Sequence, residues 1–191
     1  MQVYDAIMKR RSIRQFADRP VPHDQLVRLV DCARMAAYGA NLQPLKFALI
    51  ESPALCEQVF PLTKWAGYLQ DAGPKEGQRP TAYLAILGDT AIKQNFDVDA
   101  GSAGMTVLLA AEEMGLGACW LGAIDRPKLA TLLGFDESLT ITHLIALGYP
   151  AEESRAVAMT DSVKYFYTED GVLNVPKRSL EEVLVAVKNE A

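Results

Sequence analysis

Residues 97–122 read DVDAGSAGMTVLLAAEEMGLGACWLG, and this stretch decides how the rest of the chain is organised. Its pattern predicts a helix from Val98 to about Leu116 that is buried on several sides, because it is apolar around most of its circumference. Gly101 and Gly104 each cost this helix about 1 kcal/mol relative to alanine, so we expect another backbone to approach closely there. The polar residues form one narrow stripe: Asp99, Ser102, Thr106 and Glu113.

The flanking sequence predicts further helices and strands within one domain of residues 1–191. Strands are predicted at 46–51, 81–88, 118–124 and 140–148, with a hairpin across 163–175. Helices are predicted at 3–9, 23–37, 53–60, 125–134 and after Ser179, with caps at Ser52, Asp125 and Ser179. Asp97 and Asp99 suit the dipole at the start of the central helix. No long linker, repeat or low-complexity run divides the chain.

The composition is that of a soluble globular protein. Of 191 residues, 50% are hydrophobic and 23% are charged, and the net charge of −5 disfavours a nucleic-acid partner. The three cysteines and two histidines show no metal-binding spacing, so we expect reduced thiols and no metal. No apolar run approaches the roughly 20 residues of a membrane span, and charge comes too early for a signal peptide. We therefore expect a cytoplasmic protein.

A basic segment near the N-terminus stands out in this acidic chain. Five of the 19 basic residues fall within eleven positions: Lys9, Arg10, Arg11, Arg14 and Arg19. The segment is either a solvated surface patch or a site for an anion, since clustered like charges repel unless a counter-charge lies among them. Ser12 adds a hydroxyl donor suited to phosphate oxygens, and Lys177 with Arg178 could join the same phosphate.

Two loops offer further candidate residues. Asn41 and Gln43 could read the edge of a flat heterocycle with their amides, or could simply be ordinary loop residues. Residues 63–80 have no clear period and form either a substrate lid or a linker, and the aromatic residues Trp65 and Tyr68 favour a lid. The chain has no Gly-x-Gly-x-x-Gly or GxxxxGK[ST] motif and no convincing nucleophile–histidine arrangement, so no catalytic side chain is assigned.

Four motifs in the same order and spacing resemble the nitroreductase family of FMN-dependent oxidoreductases. They are Arg10-Arg11-Ser12-Ile13-Arg14-Gln15-Phe16, then Asn41-Leu42-Gln43-Pro44, then the small-residue helix with Gly115-Leu116-Gly117-Ala118-Cys119-Trp120-Leu121-Gly122, and finally Lys177-Arg178. The chain departs from the family pattern at Ala37-Tyr38-Gly39, where a Pro-Ser pair is frequent, and at Leu45, where an aromatic residue is common.

The resemblance implies an α+β fold, in which helices flank a central, mostly antiparallel sheet, and a homodimer with FMN at the subunit interface. It implies that Arg10, Ser12, Lys177 and Arg178 bind the phosphate and ribityl side of FMN, and that Arg14 faces the pyrimidine edge of its ring. Asn41 and Gln43 would reach the flavin from the partner subunit, while Leu121 and Gly122 pack against the ring. Arg11 completes the implied cofactor-binding set.

The resemblance further implies an enzyme that passes a hydride from NAD(P)H through bound FMN to a small acceptor such as a nitroaromatic or a quinone. The flavin performs this chemistry, so the protein holds the ring and excludes water. Alternatives remain open: a specialised member that dehalogenates or fragments flavin, a flavin-binding redox sensor with little turnover, or a scaffold that has lost the cofactor.

Overall fold

An antiparallel sheet of four strands forms the centre of the structure, a computed structural model that describes residues 1–69 and 73–188. In chain order the strands of the protein are β1 Leu45–Ile50, β2 Ala82–Asp89, β3 Gly117–Leu121, β4 Leu139–Gly148, β5 Ser154–Ala158, β6 Phe166–Tyr167 and β7 Leu173–Lys177. The central sheet has the order β1-β2-β4-β3, and every neighbouring pair in it is antiparallel. The predicted α+β class with a mostly antiparallel sheet is confirmed.

Helices cover the sheet. They are α1 Val3–Lys9, α2 His23–Arg34, α3 Pro53–Val59, α4 Asp97–Glu113, α5 Arg126–Leu133 and α6 Leu180–Val183, with short 3-10 turns at Gly39–Asn41 and Phe60–Leu62. One buried cluster joins α2 and α4 to the sheet through Leu26, Leu29, Ala103, Val107 and Ile145. A second cluster joins α3 and α5 to it through Cys56, Val59, Leu129 and Leu144. Each cluster therefore contains strand residues packed against a different helix pair.

The central helix α4 buries the face that carries Ala100, Ala103 and Val107, while Val98 and Met105 are exposed in the single subunit, and Gly104 has another explanation than the predicted one. A Cβ at Gly104 would overlap the ring of Trp120, whose atom Cε3 would lie 2.8 Å away. The close neighbour predicted at Gly104 is therefore an aromatic side chain of the same chain, not a second backbone. Gly101 is exposed, and nothing lies within 4 Å of the Cβ position there among the described residues.

Asp99, one of the four residues of the predicted polar stripe, is buried. Its side chain is 1% exposed and accepts hydrogen bonds from the ammonium of Lys93 and, at 3.3 Å, from the backbone N–H of Gly39. A buried carboxylate needs such partners, because desolvation of an unpaired charge is costly. Asp99 therefore ties the loop that begins at Gly39 to the first turn of α4.

Several predicted boundaries and caps can be compared directly with the structure. The helix predicted to reach Ala37 ends at Arg34, and Ser52 precedes α3 without a capping side-chain hydrogen bond. Asp125 caps α5 by accepting from the N–H of Lys128, and Ser179 forms the predicted capping box. Two of the three predicted caps are thus confirmed.

The predicted hairpin is present within a small second sheet of order β5-β7-β6. Phe166 pairs with Asn174, and Tyr167 pairs with Leu173, in antiparallel register. Strand β5 pairs in parallel with β7 and was not predicted, because its sequence SRAVA is short and follows charged residues.

Large apolar side chains remain exposed at both ends of the chain and on α4. The exposed residues are Val3, Tyr4, Ile7 and Met8 on α1, Val98 and Met105 on α4, and Leu180, Val183, Leu184, Val185 and Val187 near the C-terminus. An exposed apolar surface of this kind is typical of a surface that another protein chain covers. Across residues 1–69 and 73–188, no helix is both long and apolar enough to cross a membrane.

Candidate functional site

The basic segment runs along the open edge of the central sheet. Ser12 pairs in parallel with Ala118 on the edge strand β3, and the N–H of Ile13 donates to the carbonyl of Ala118 at 3.0 Å. Two glycines permit this contact, since a Cβ at Gly117 would lie 2.9 Å from Ile13 and one at Gly148 would lie 2.8 Å from Phe16. The segment is therefore part of the packed fold and is not a free surface patch.

The arginines of this segment lack acidic partners. No ion pair within 4.0 Å among the described residues includes Arg10, Arg11 or Arg14. Nη1 of Arg14 and Nε of Arg11 are buried without a hydrogen-bond partner. Burial lowers the pKa of Arg10, an effect that the nearby Glu112 opposes. Buried guanidinium nitrogens without a hydrogen-bond partner favour an anionic ligand here, although the carboxylate of Glu112 lies near Arg10.

Arg11 and Arg14 have different surroundings. Arg11 donates to the carbonyls of Met8, at 2.6 Å, and Arg10, so it caps the C-terminal end of α1. The guanidinium carbon of Arg14 lies 4.9 Å from the ring centroid of Tyr165, in a cation–π arrangement. Arg14 thus keeps donors available beside an aromatic side chain, whereas part of Arg11 already supports the helix.

Cys119 follows Ala118, the strand partner of Ser12, on β3 and was not predicted to belong to the site. Burial raises the pKa of its thiol to about 11, while Arg14 and Arg10 and a hydrogen bond with Ser12 act in the opposite direction. The thiol is therefore neutral near pH 7. Strand alternation could have indicated this position, because Cys119 and Leu121 share one face of β3.

Leu121 and Gly122 lie at the end of β3. Leu121 is buried in the second core cluster, while Gly122 is exposed next to the imidazole of His143, 3.5 Å from its Cβ position. The His143 ring meets the edge of Trp120 with centroids 4.9 Å apart. Burial and the neighbouring Arg126 lower the pKa of His143, so it is neutral near pH 7. Gly122 therefore presents exposed backbone at the end of β3, the strand whose Ala118 pairs with Ser12.

The loop with Asn41 and Gln43 is exposed and strained. Ala40, Asn41 and Gln43 have φ angles of 48°, 54° and 48°, a region that residues other than glycine rarely adopt. The side-chain amide of Gln43 donates to the carbonyl of Asn41 at 3.3 Å. Strain of this kind persists where the surroundings impose it and often marks a functional loop. Here Asp99 supplies part of that constraint through the N–H of Gly39.

Of the residues where the family pattern is broken, Tyr38 and Leu45 face inward, while Ala37 and Gly39 are exposed. The Tyr38 hydroxyl donates to the carbonyl of Ala33 at 3.1 Å, and its ring packs against the first core cluster. Leu45 is buried at the start of β1. Both side chains therefore contribute to packing.

Lys177 and Arg178 lie at the end of β7 in the smaller sheet. Arg178 is exposed and pairs with Glu182 at 3.4 Å, and Lys177 is exposed as well. Within the part of the chain that the structure describes, neither side chain forms a hydrogen bond or ion pair with residues 10–14. Their role at a phosphate stays a prediction.

The two aromatic residues of the predicted lid have different environments. Trp65 is half-buried, and its indole N–H donates to the hydroxyl of Thr63 at 2.9 Å. Tyr68 is exposed, and its ring centroid lies 5.2 Å from that of Tyr165, the residue that meets Arg14. Residues 70–72 of the predicted lid lie outside the described part of the chain.

Gln15 connects the same loop to the basic segment. Its side-chain amide donates to the carbonyl of Gly73 at 3.2 Å and accepts from the N–H of Lys75 at 3.0 Å. Gln15 is 8% exposed. The neighbour of Arg14 in sequence therefore anchors residues 73–75.

Glu152 is a second residue that sequence reasoning missed. Its carboxylate accepts from the backbone N–H groups of Arg14 and Gln15 and, at 2.7 Å, from the hydroxyl of Tyr167. Burial and this hydrogen bond raise the pKa of Tyr167, so its hydroxyl remains a donor. No motif indicates these contacts, because the partners are 15 and 138 residues apart in the chain.

A cleft of about 210 Å³ lies beside the basic segment. Arg11 lines it, but Arg10, Ser12 and Arg14 do not. A larger cavity of about 360 Å³ shares no residue with it and is lined by residues that include Asp18, Glu51, Glu57, Glu76 and Arg79. In the single subunit, Lys9 and Arg11 of the basic segment therefore line this cleft together with the carboxylates of Glu112 and Glu152.

Comparisons with known proteins identify the family of the chain. The sequence profile of the Nitroreductase family matches residues 7–149. A Methanothermobacter thermautotrophicus protein with the provisional name NADH dehydrogenase/NAD(P)H nitroreductase is 30% identical over 80% of this chain and 79% of its own. A crystal structure from Desulfovibrio desulfuricans, solved in complex with FMN, is 26% identical and covers 100% of this chain and 99% of its own, with a TM-score of 0.72. The chain belongs to the nitroreductase family.

Other relatives show that named activities differ. The Salmonella typhimurium oxygen-insensitive NADPH nitroreductase is 28% identical over 74% of this chain and 63% of its own. A Rhodospirillum rubrum protein named 5,6-dimethylbenzimidazole synthase is 25% identical over 78% of this chain and 82% of its own. Family membership alone therefore does not fix the acceptor.

Proposed function

We propose that this protein is an FMN-dependent oxidoreductase that takes electrons from NAD(P)H and reduces a small acceptor such as a nitroaromatic compound or a quinone. The observation that carries this proposal is the buried, unpartnered Nη1 of Arg14, close in sequence to Arg10 and Arg11, none of which forms an ion pair among the described residues. A bound FMN would supply both a phosphate dianion and a ring that becomes negatively charged on reduction. The donors present fit such a group.

Each part of the basic segment has a place in this proposal. Arg10 and Ser12 would hold the phosphate and ribityl side, with Arg11 next to them and with Arg178 and Lys177 completing the anion site. Arg14 would face the pyrimidine edge, where a fixed cation stabilises negative charge and so favours the reduced flavin. FMN in the Desulfovibrio desulfuricans relative supports this choice of cofactor.

The other predicted residues would shape the ring pocket. Leu121 and Gly122 would pack against the flavin, where the exposed backbone of Gly122 can offer an N–H. Asn41 and Gln43 would come from a partner subunit, since both are exposed on a strained loop. Tyr68 and Trp65 would cover the acceptor. No side chain is assigned as an acid or base.

We propose a homodimer in which both subunits build each site, formed by one domain of residues 1–191. The exposed apolar residues of α1, α4 and the C-terminal segment support this assembly, because a subunit that exposes Val98 at 80% and Val185 at 93% has much apolar surface to cover. The three unpaired cysteines go with a cytoplasmic location.

Repeated turnover tests the proposed enzyme. NADH and then NADPH are added anaerobically to the FMN-loaded protein, followed by a quinone or a nitroaromatic acceptor. We expect the flavin absorbance to bleach with a nicotinamide and to return with the acceptor over many cycles. Flavin bands that no nicotinamide bleaches would contradict the enzyme and favour a flavin-binding redox sensor with little turnover.

A specialised reaction is the second candidate, since one relative is named a 5,6-dimethylbenzimidazole synthase and another, 21% identical, an iodotyrosine deiodinase. Incubation of the reduced protein with iodotyrosine, or of excess reduced FMN with oxygen, separates these reactions. Iodide release or 5,6-dimethylbenzimidazole formation faster than quinone reduction would favour the specialised activity.

A further inference from the structure

Glu152 lies where the chain leaves the central sheet and passes the basic segment. The two stretches run beside each other, because the N–H of Ala17 donates to Tyr149 and that of Ala151 donates to Gln15, both at 2.8 Å. Glu152 comes next in this ladder and is half-buried. Its carboxylate is therefore directed at the backbone of residues 14 and 15 by the strand geometry around it.

The two oxygens of this carboxylate have different partners. Oε1 accepts from the N–H groups of both Arg14 and Gln15, and Oε2 accepts from the hydroxyl of Tyr167 at 2.7 Å. Hydrogen bonds to an ionised acceptor are roughly twice as strong as neutral ones. One side chain thus joins the basic segment to β6 of the smaller sheet.

Glu152 acts on the backbone of Arg14 and leaves its guanidinium free. The two residues form no ion pair within 4.0 Å. The guanidinium instead lies against Tyr165, which directly precedes β6 and so belongs to the same element that Glu152 holds through Tyr167. The carboxylate of Glu152 therefore holds the backbone from which the Arg14 side chain extends. It also holds the element that carries Tyr165, the aromatic neighbour of the Arg14 guanidinium.

We propose that Glu152 is a positioning residue, which fixes Arg14 and its aromatic neighbour Tyr165 in the geometry that the pyrimidine edge of FMN requires. The inference rests on the proposed function, because it assigns Arg14 to the flavin. Glu152 touches neither cofactor nor acceptor in this scheme. Its effect reaches the flavin only through the placement of Arg14.

Two substitutions separate positioning from charge. Glu152→Gln removes the negative charge but keeps an oxygen at the same reach, which can still accept from both N–H groups. Glu152→Asp keeps the charge but is one methylene shorter, so it cannot hold both elements at once. Glu153→Ala serves as the control, because the neighbouring carboxylate is exposed and no side-chain hydrogen bond to it is among those described.

The measurements are the dissociation constant of FMN, from titration of the apoprotein, and the reduction potential of the bound flavin. We expect Glu152→Asp to weaken FMN binding on the order of tenfold and to make the potential more negative, because Arg14 stabilises the reduced ring less well. Glu152→Gln should stay within about threefold of wild type, with a potential equal to or less negative than that of wild type. Glu153→Ala should match wild type in both.

The ranking of the variants by FMN affinity and flavin reduction potential decides between the possible roles of Glu152. If Glu152 acts only through its charge, Glu152→Gln shifts the reduction potential of the bound flavin and Glu152→Asp matches wild type. If its role is only structural, the flavin potential moves in neither variant. Either result overturns the proposal. If wild-type apoprotein fails to bind FMN, the proposed function falls and this inference falls with it. If wild type binds FMN and Glu152→Asp matches it, only the role of Glu152 is wrong.

Discussion

Replacing Gly104 with alanine should destabilise the protein, because the new Cβ would overlap the ring of Trp120. Atom Cε3 of that ring lies 2.8 Å from the Cβ position, and two other ring atoms lie closer still. The ring has little room to withdraw, since it meets the imidazole of His143 with centroids 4.9 Å apart. Overpacking costs up to about 3 kcal/mol, and the higher helix propensity of alanine offsets about 1 kcal/mol of this. The free energy of unfolding should therefore fall by about 2 kcal/mol.

Urea denaturation at one fixed protein concentration measures this loss for Gly104→Ala, Trp120→Phe and the double variant. Phenylalanine is smaller than the indole, so the two substitutions should couple favourably by about 1 kcal/mol in the double variant. The fixed concentration matters because a dimer is stabilised by its own association. A Gly104→Ala protein that is as stable as wild type would refute the interpretation that this glycine makes room for Trp120.

Three further predictions concern the cofactor, the dimer and a buried thiol. The double variant Arg10→Ala/Arg178→Ala should lose about 3–6 kcal/mol of FMN affinity, since each charge-assisted contact contributes about 1.5–3 kcal/mol; a variant that purifies with a full complement of FMN would show that the phosphate lies elsewhere. Gly101→Ala places a methyl group on the exposed face of α4 and should weaken the dimer in sedimentation equilibrium, whereas an unchanged dimer would remove that face from the interface. The pKa of Cys119 is raised from 9.0 to about 11, so the unfolded chain loses this proton first and stability should fall between pH 9 and pH 11. In Cys119→Ala, the loss of unfolding free energy between pH 9 and pH 11 should be smaller by about 3 kcal/mol. An identical pH dependence in both proteins would contradict the burial of the thiol.

Much of the fold could be predicted from local pattern. The apolar circumference of residues 98–116 predicts a buried helix, and α4 is a helix there that buries Ala100, Ala103 and Val107, although Val98 and Met105 are exposed in the single subunit. The capping box at Ser179 was equally predictable, since its partners are three residues apart. The burial of Asp99 was not, because its partner Lys93 and the N–H of Gly39 come together only through tertiary packing.

The residues of the candidate site also divide into those that local sequence indicates and those that only tertiary contacts reveal. The basic segment could be found from sequence because its charges are adjacent, and the structure adds that Arg14 has a buried unpartnered nitrogen. Glu152 and Gln15 could not be assigned roles, because their contacts join segments 138 and about 60 residues apart. Gly104 was predicted to admit a backbone, and the ring found there belongs to Trp120, which lies on the next strand.

The visible absorbance spectrum of the freshly purified wild-type protein, before and after addition of FMN, tests most directly whether the basic segment is a flavin site. We expect flavin bands with one FMN per chain, which should be retained on gel filtration because Arg10, Ser12 and Arg14 are proposed to bind the cofactor in a dimer. A colourless protein that also fails to retain added FMN would contradict this assignment, and the three arginines would then need another anionic partner.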